Sequence, residues 1–338
     1  TIKCSPYADL SWDLRNPDLL LLLKTYISCQ RYGLDARALA TALSWLMELY
    51  QNGIISAQDT DGIAMEWGSP EAMPGLARKV SYREGIGDLL AEGLQAAASK
   101  IGRGSEEYLL MTKGVPVDTH IPAIKSRGLS WAISPRGEGV QVQPHLDYVA
   151  ARRYVQASDR ASFEQAIERY KERAEQMVGI RDAADPTTTV GKAALVGADE
   201  ERTAINDMTG VCSWMGSFMG LPVDAESIAR AMTTGLGVDI TLQTLNEAAA
   251  RLRHVERAFG VRCGFTRADD TVSKRFRQQL KPGGKEMPEL GFTEAELEQM
   301  KDDYYQMMGW DVQSGVPARE TLERYGLSDV AQRLEGGR

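Results

Sequence analysis

Cysteine is scarce in this chain. Among 338 residues there are four, Cys4, Cys29, Cys212 and Cys263, and no two are close enough to form a CxxC pair. Iron–sulfur and zinc sites normally show clustered cysteines, so the chain does not read as building either site by itself. Its three histidines add little to that count. Dispersed thiols of this kind read as reduced and buried, acting as small apolar side chains. Positive charge is also short. With 39 Lys and Arg against 47 Asp and Glu, the net charge is −8 and no long basic run appears. This argues against nucleic acid as a partner. No apolar run reaches the roughly 18 residues of a membrane span. The five leucines from Leu19 to Leu23 belong to an amphipathic helix. Signal peptide and low-complexity tract are both missing, so a cytoplasmic protein without membrane contact is expected.

What is present is apolar periodicity. Hydrophobic residues make up 43% of the chain, enough for sizeable cores, and the length suits two domains. A helix is expected over 16–32, with Pro17 in its first turn, Leu19, Leu20, Leu23 and Ile27 at helical spacing, and Gly33 ending it. Asp35 caps the next helix, whose face carries Leu39, Leu43, Leu46 and Tyr50. Further helices are expected at about 69–84, 88–100, 146–156 and 159–178, the last with a capping box at Ser162-Phe163-Glu164-Gln165. Another follows Pro186, and others cover 224–233, 241–259 and 293–308. Short helices close the chain. Between 106 and 137 the helical period fades, and Pro116, Pro122, Gly128, Pro135 and Gly137 predict loop with short extended pieces. The expected class is mostly α, with one helical domain over 1–112 and a second over 113–338.

Two short stretches share a pattern. Asn206-Asp207-Met208-Thr209-Gly210-Val211-Cys212 is echoed by Cys29-Gln30-Arg31-Tyr32-Gly33-Leu34-Asp35. Gln30 aligns with Asp207, Gly33 with Gly210, Leu34 with Val211 and Asp35 with Cys212. Each follows a helix-like segment, where glycine suits the left-handed residue that ends a helix. The plain reading is two unrelated helix ends, since glycine after a helix is common. The other reading is a matched pair of ligand loops.

Other stretches decide between them. They are Tyr82-Arg83-Glu84-Gly85-Ile86-Gly87-Asp88, Lys113-Gly114, Ala132-Ile133-Ser134-Pro135-Arg136-Gly137, Gly264-Phe265-Thr266-Arg267-Ala268-Asp269-Asp270, Tyr304-Tyr305 and Gly309-Trp310-Asp311. In order and spacing the chain resembles the helical C-terminal domains of the tungsten aldehyde:ferredoxin oxidoreductase family. The resemblance implies two packed helical domains and a tungsten or molybdenum bis-pterin cofactor. Gln30, Gly33, Leu34 and Asp35 would then line one pterin, and Asp207, Gly210 and Val211 the other. Gln30 departs from the family's Asp, and its carbonyl accepts without full charge. Cys212 matches the fourth ligand of a [4Fe–4S] cluster, whose other three cysteines lie upstream of this region. Both cofactors are therefore expected only in a longer protein. The start at Thr1 fits that, with a sheet-rich N-terminal domain missing. The isolated chain is expected to be inactive.

The resemblance implies oxidation of an aldehyde, with electrons passing through the cluster to ferredoxin or another electron-transfer protein, and it leaves a homodimer open. In the family a His follows Ser-x-Arg-Gly by three residues; here that place is Val140. Glu138, His145 and His120 are the candidate proton-transfer residues in its stead. The missing His keeps open a different substrate on the same cofactor, such as an aromatic acyl-CoA. A non-catalytic helical body that binds a partner is the third reading. His254, in a regular helix, reads as structural. Cys263 stands where the family often has Glu and reads as a core substitution.

Overall fold

Stretches with a 3.6-residue apolar period become helices throughout this computed structural model, which describes residues 4–117, 124–135, 137, 146–154, 156–212, 224–277 and 290–336. The chain divides into two compact units. One is Thr1–Thr119 with Ser273–Arg275, the other His120–Val272 with Phe276–Arg338. Both are helical, and among the described residues the paired strands are one two-residue hairpin. The expected mostly α class is the class observed.

The first unit holds α1 (Cys4–Ser11), α2 (Leu19–Tyr32), α3 (Ala36–Gln51), α4 (Ala72–Tyr82), α5 (Ile86–Ala91) and α6 (Leu94–Ile101), then β1 (Met111–Thr112) and β2 (Val115–Pro116). Its core joins Leu21, Leu22 and Cys29 of α2 to Leu39, Leu43 and Leu46 of α3 and Met73 and Leu76 of α4. The face expected of α2 is corrected here. Leu19, Leu20 and Ile27 are exposed, and the buried stripe is Leu21, Leu22, Thr25 and Cys29. A run of five leucines has apolar residues all round, so periodicity alone could not choose the stripe. Pro17 lies outside the helix, and Asp18 caps it by accepting from the Leu20 and Leu21 N–H groups. The expected helix over 88–100 is two pieces, broken where Gly93 takes φ 92°.

The stretch Gly85-Ile86-Gly87 has a steric explanation. Gly85 sits at φ 55°, ψ −125°, a conformation for glycine. A Cβ there would overlap the Asp61 carboxylate, which accepts from the Ile86 N–H and the Lys79 ammonium, each at 2.9 Å. A Cβ at Gly87 would overlap the Lys79 carbonyl group, because α4 and α5 touch backbone to backbone. Gly87→Ala is expected to cost about 1–3 kcal/mol, since neither backbone can yield cheaply. Urea denaturation monitored by circular dichroism checks this, and an unchanged midpoint would rule out the close approach as a constraint.

The second unit holds α7 (Lys125–Ile133), α8 (Leu146–Tyr154), α9 (Arg160–Val178), α10 (Lys192–Thr209), α11 (Ala225–Leu236), α12 (Leu242–Arg262), α13 (Glu294–Met308), α14 (Arg319–Arg324) and α15 (Ser328–Gly336). α7 corrects the loop expected over 106–137. All nine of its residues are buried, Lys125 and Arg127 included. Gly128, read as punctuation, is a contact residue instead: a Cβ there would run into the Phe292 ring. The capping box of α9 is also shifted. Asp159 is the cap and Ser162 the third helical residue. In α13 a capping box joins Thr293 and Glu296. Cys263 is exposed, not a core residue, because it lies just past the end of α12.

Most of the recognisable stretches of this unit serve one buried polar network. Arg253 of α12 donates to Glu200 of α10 at 2.6 Å and to Glu256 at 2.7 Å, and the Tyr304 hydroxyl of α13 donates to Glu200 as well. Arg257 pairs with Asp270 at 2.7 Å, and the Tyr305 hydroxyl donates to the same carboxylate. The Trp310 indole N–H donates to Nδ1 of His254 at 3.0 Å. Arg267 holds the Val312 carbonyl and the Glu298 and Asp302 carboxylates. Buried charges must be paired to be tolerated. The Arg267–Asp270 stretch and the tyrosine pair supply those partners, and Trp310 fixes the buried His254 ring.

Candidate functional site

The two patterned stretches have the same local architecture. α2 ends at Gly33, which takes φ 70°, ψ 27°, and α10 ends at Gly210, which takes φ 73°, ψ 13°. Both are left-handed, which a side chain at that place would resist. In the first loop the Gly33 N–H and the Leu34 N–H both donate to the Cys29 carbonyl. In the second the Gly210 N–H and the Val211 N–H both donate to the Asn206 carbonyl. The two hydrogen-bond patterns superimpose residue for residue. One carbonyl of the last turn is closed twice, and helix geometry leaves the others without intrahelical donors.

Side-chain placement also repeats. Cys29 and Asn206, the doubly accepting residues, are buried and anchor each helix end. Leu34 and Val211 are half-buried and pack on the core below each loop. Gln30 and Asp207 are exposed one residue after each anchor. A Cβ placed on Gly33 or Gly210 would meet no described residue within 4 Å, so no described side chain covers either glycine. Each loop thus presents a side-chain oxygen acceptor, bare backbone and an aliphatic floor. Such a set suits a flat heterocycle with amino and ring N–H groups.

The loops differ in the next residue. Asp35 starts α3, its carboxylate accepting from the Arg37 and Ala38 N–H groups at 2.8 and 3.0 Å. That bonding makes Asp35 a helix cap, whatever else it does. Cys212 is exposed and starts no described helix. The contrast with Cys29 is chemical: burial pushes the Cys29 thiol up to about 11, so it is inert packing. Among the described residues no group of three or more His, Cys, Asp or Glu side chains is placed to hold a metal ion. One accessible thiolate can supply one soft ligand to an iron–sulfur cluster and no more.

His120, Glu138 and His145, with Arg136 and Val140, lie outside the described residues. Two clusters escaped the sequence reading. One is the fully buried pair of Asp147 and Lys192, the other the Glu200–Arg253–His254 group in the second unit's interior. A signal for the latter existed. Leu245, Ala249, Arg253 and Arg257 recur every four residues, so the apolar stripe of α12 continues as arginine.

Comparison with known proteins bears on this site. The family model described as aldehyde ferredoxin oxidoreductase, domains 2 and 3, matches residues 7–327. A tungsten-containing aldehyde ferredoxin oxidoreductase of Pyrococcus furiosus is 26% identical over 316 residues, covering 92% of this chain and 46% of that protein. An aliphatic sulfonate oxidoreductase, WOR-like subunit, of the same organism is 27% identical over 312 residues, covering 90% of this chain and 42% of its own. Among solved structures, the active-site complex BamBC of benzoyl coenzyme A reductase with 1,5-dienoyl-CoA matches with a TM-score of 0.76 and 22% identity, over 99% of this chain and 50% of that one. At that identity the likeness is one of fold. The chain spans about half the length of the curated relatives it matches.

Proposed function

We propose a function from one premise: the chain belongs to the aldehyde ferredoxin oxidoreductase family, whose model covers residues 7–327. The chain is the helical portion of a larger tungsten- or molybdenum-dependent oxidoreductase, and its part is to hold the two pterins of the cofactor. The observation that carries this reading is the repeated loop, with the same double closure at Gly33 and Gly210 and the same exposed acceptor before it. Gln30, Gly33 and Leu34 hold one pterin, with Asp35 fixing the loop as the cap of α3. Asp207, Gly210 and Val211 hold the other. Cys212 supplies one thiolate to a [4Fe–4S] cluster completed by cysteines of the longer protein.

When bound, the metal–pterin group supplies the two-electron redox chemistry. This chain's residues orient it. The Asp207 carboxylate accepts from pterin N–H groups with full charge, Gln30 through a neutral carbonyl. Hydrogen bonds to a charged acceptor contribute about 1.5–3 kcal/mol against about 0.5–1.5 for neutral pairs. Asp207→Ala in the full-length protein should therefore lower pterin and tungsten per chain more than Gln30→Ala does. Metal and pterin analysis of purified variants measures it. Equal retention in both variants, with the fold intact, would remove these loops from cofactor binding.

The substrate proposed is an aldehyde, oxidised to the acid, with ferredoxin or a similar carrier taking the electrons. Val140 favours a second reading on the same cofactor. A family member without a His at that place suits a substrate such as an aromatic acyl-CoA, where the proton donor stands elsewhere. Side-by-side assays of the full-length protein with aldehydes and with aromatic acyl-CoA thioesters separate the two. Among the described residues no helix is long and apolar enough to cross a membrane, and none of these roles needs one.

A further inference from the structure

The second unit carries an open cleft of ≈ 710 Å³ bounded by α10, α12, the end of α13 and α14. Small-molecule sites occupy roughly 300–1,000 Å³, so the size fits a metabolite. Its lining has two polar poles. At the first, Arg253 and His254 of α12 lie with Arg324 of α14. These three are close enough to interact: burial, then the charges of Arg253 and Arg324, hold His254 down to about 4. His254 is thus neutral at ordinary pH. Because its Nδ1 accepts from Trp310, its proton is on Nε2, and that nitrogen is a donor. Arg253 has spent its two terminal nitrogens on Glu200 and Glu256, and its Nε–H is buried away from solvent, so the donors open to the cleft are those of His254 and Arg324. The Arg324 guanidinium is exposed and bonds no described residue.

The second pole is acidic. Glu201 of α10 lines the cleft half-buried, with no hydrogen bond or ion pair to a described residue. Burial raises its carboxyl above the ordinary value, and no neighbouring cation offsets this. Glu247 of α12 adds a second carboxylate. Along α12, Glu247 and His254 are seven residues apart, about 10 Å of helix. Between the poles the wall is apolar, formed by Ala194, Ala198, Ala250 and Met307. A half-buried carboxylate without a cation is unfavourable when left empty, and at the other pole Glu200 neutralises Arg253 while Arg324 bonds no described carboxylate.

We propose that this cleft binds a small zwitterion of the ω-amino acid type, its ammonium on Glu201 and Glu247, its methylene chain along the alanines and Met307, and its carboxylate on Arg324 and His254 Nε2–H. The site is distinct from both loops and does not depend on the pterin reading. Glu201 lies six residues before Asp207 on α10, so an occupant would brace the helix that carries the second loop.

The test is calorimetric titration of the full-length protein with 6-aminohexanoate, using hexanoate and hexylammonium as single-charge controls. Saturable binding to one site per chain is expected, weakened about tenfold or more for either control, as the loss of one charge-assisted contact dictates. Glu201→Gln and Arg324→Ala should each weaken 6-aminohexanoate similarly while leaving the melting temperature unchanged, because neither side chain holds the fold together. No saturable binding by the native protein overturns the proposal. Equal affinity for hexanoate, or for hexylammonium, also overturns it, as do folded variants that bind like the native protein. The control series uses the native chain alone, so the proposal is tested even where a variant fails to fold.

Discussion

Replacing Asp147 by Ala should destabilise the protein by about 3–5 kcal/mol, the range for removing one partner of a buried ion pair. Asp147 and Lys192 are both 0% exposed, and the ammonium lies 3.4 Å from the carboxylate. The carboxylate also accepts from the Ser126 hydroxyl and, at 3.3 Å, from the Ser126 N–H. The ammonium donates to the Ala183 and Asp185 carbonyls at 2.6 and 2.7 Å. Three helices, α7, α8 and α10, therefore meet on two charges. Burial pulls Lys192 below its ordinary value, and the Asp147 charge opposes that pull. Without Asp147, Lys192 would have to stay charged among carbonyls alone or lose its proton. Lys192→Met should cost a comparable amount, since it strands the carboxylate. The Asp147→Ala/Lys192→Met double variant should cost clearly less than the two single costs added, because it leaves no lone charge behind. Denaturant titration of all three variants decides it. Additive costs would mean that the charges do not depend on each other.

The largest effect expected on activity is at Val140. The full-length, metal-loaded enzyme should oxidise small aldehydes slowly, and Val140→His should raise the rate by about 10²–10⁴-fold, the usual value of one positioned acid or base. Valine neither gives nor takes a proton, and the resemblance puts a His at that place in aldehyde-oxidising members. Steady-state kinetics with aliphatic and aromatic aldehydes measures it. A fast native enzyme that gains nothing from Val140→His would show that proton transfer has moved. Loss of activity in Glu138→Gln, His145→Ala or His120→Ala would then say to which residue.

Much of this was legible without coordinates where a local rule decides. Gly33 and Gly210 end helices in the left-handed conformation because a side chain would resist it, and that follows from sequence position alone. Asp35, Asp224, Thr241 and Thr293 cap helices because their short side chains reach backbone N–H groups two or three residues on. Where a choice depends on neighbours distant in sequence, local rules fail. The leucine run of α2 offered several apolar stripes, and only packing against α3 and α4 chose Leu21, Leu22 and Cys29. α7 lacked an amphipathic pattern because it is buried on every side, so its glycine and basic residues read as loop.

The sequence by itself determined that this is a mostly α protein, which resemblance it bears, and where the two loops stand. Helical period, capping residues and the Gly-aliphatic pattern are properties of adjacent residues. Tertiary structure alone decided that Gly87 touches a backbone carbonyl, and that Asp147, Lys192, Glu200 and Arg253 are interior charges with partners. It also decided that a cleft with separate acidic and basic poles lies beside α10. A charge is permitted inside a protein only by the groups that surround it, and here those groups come from helices up to 104 residues apart in the chain.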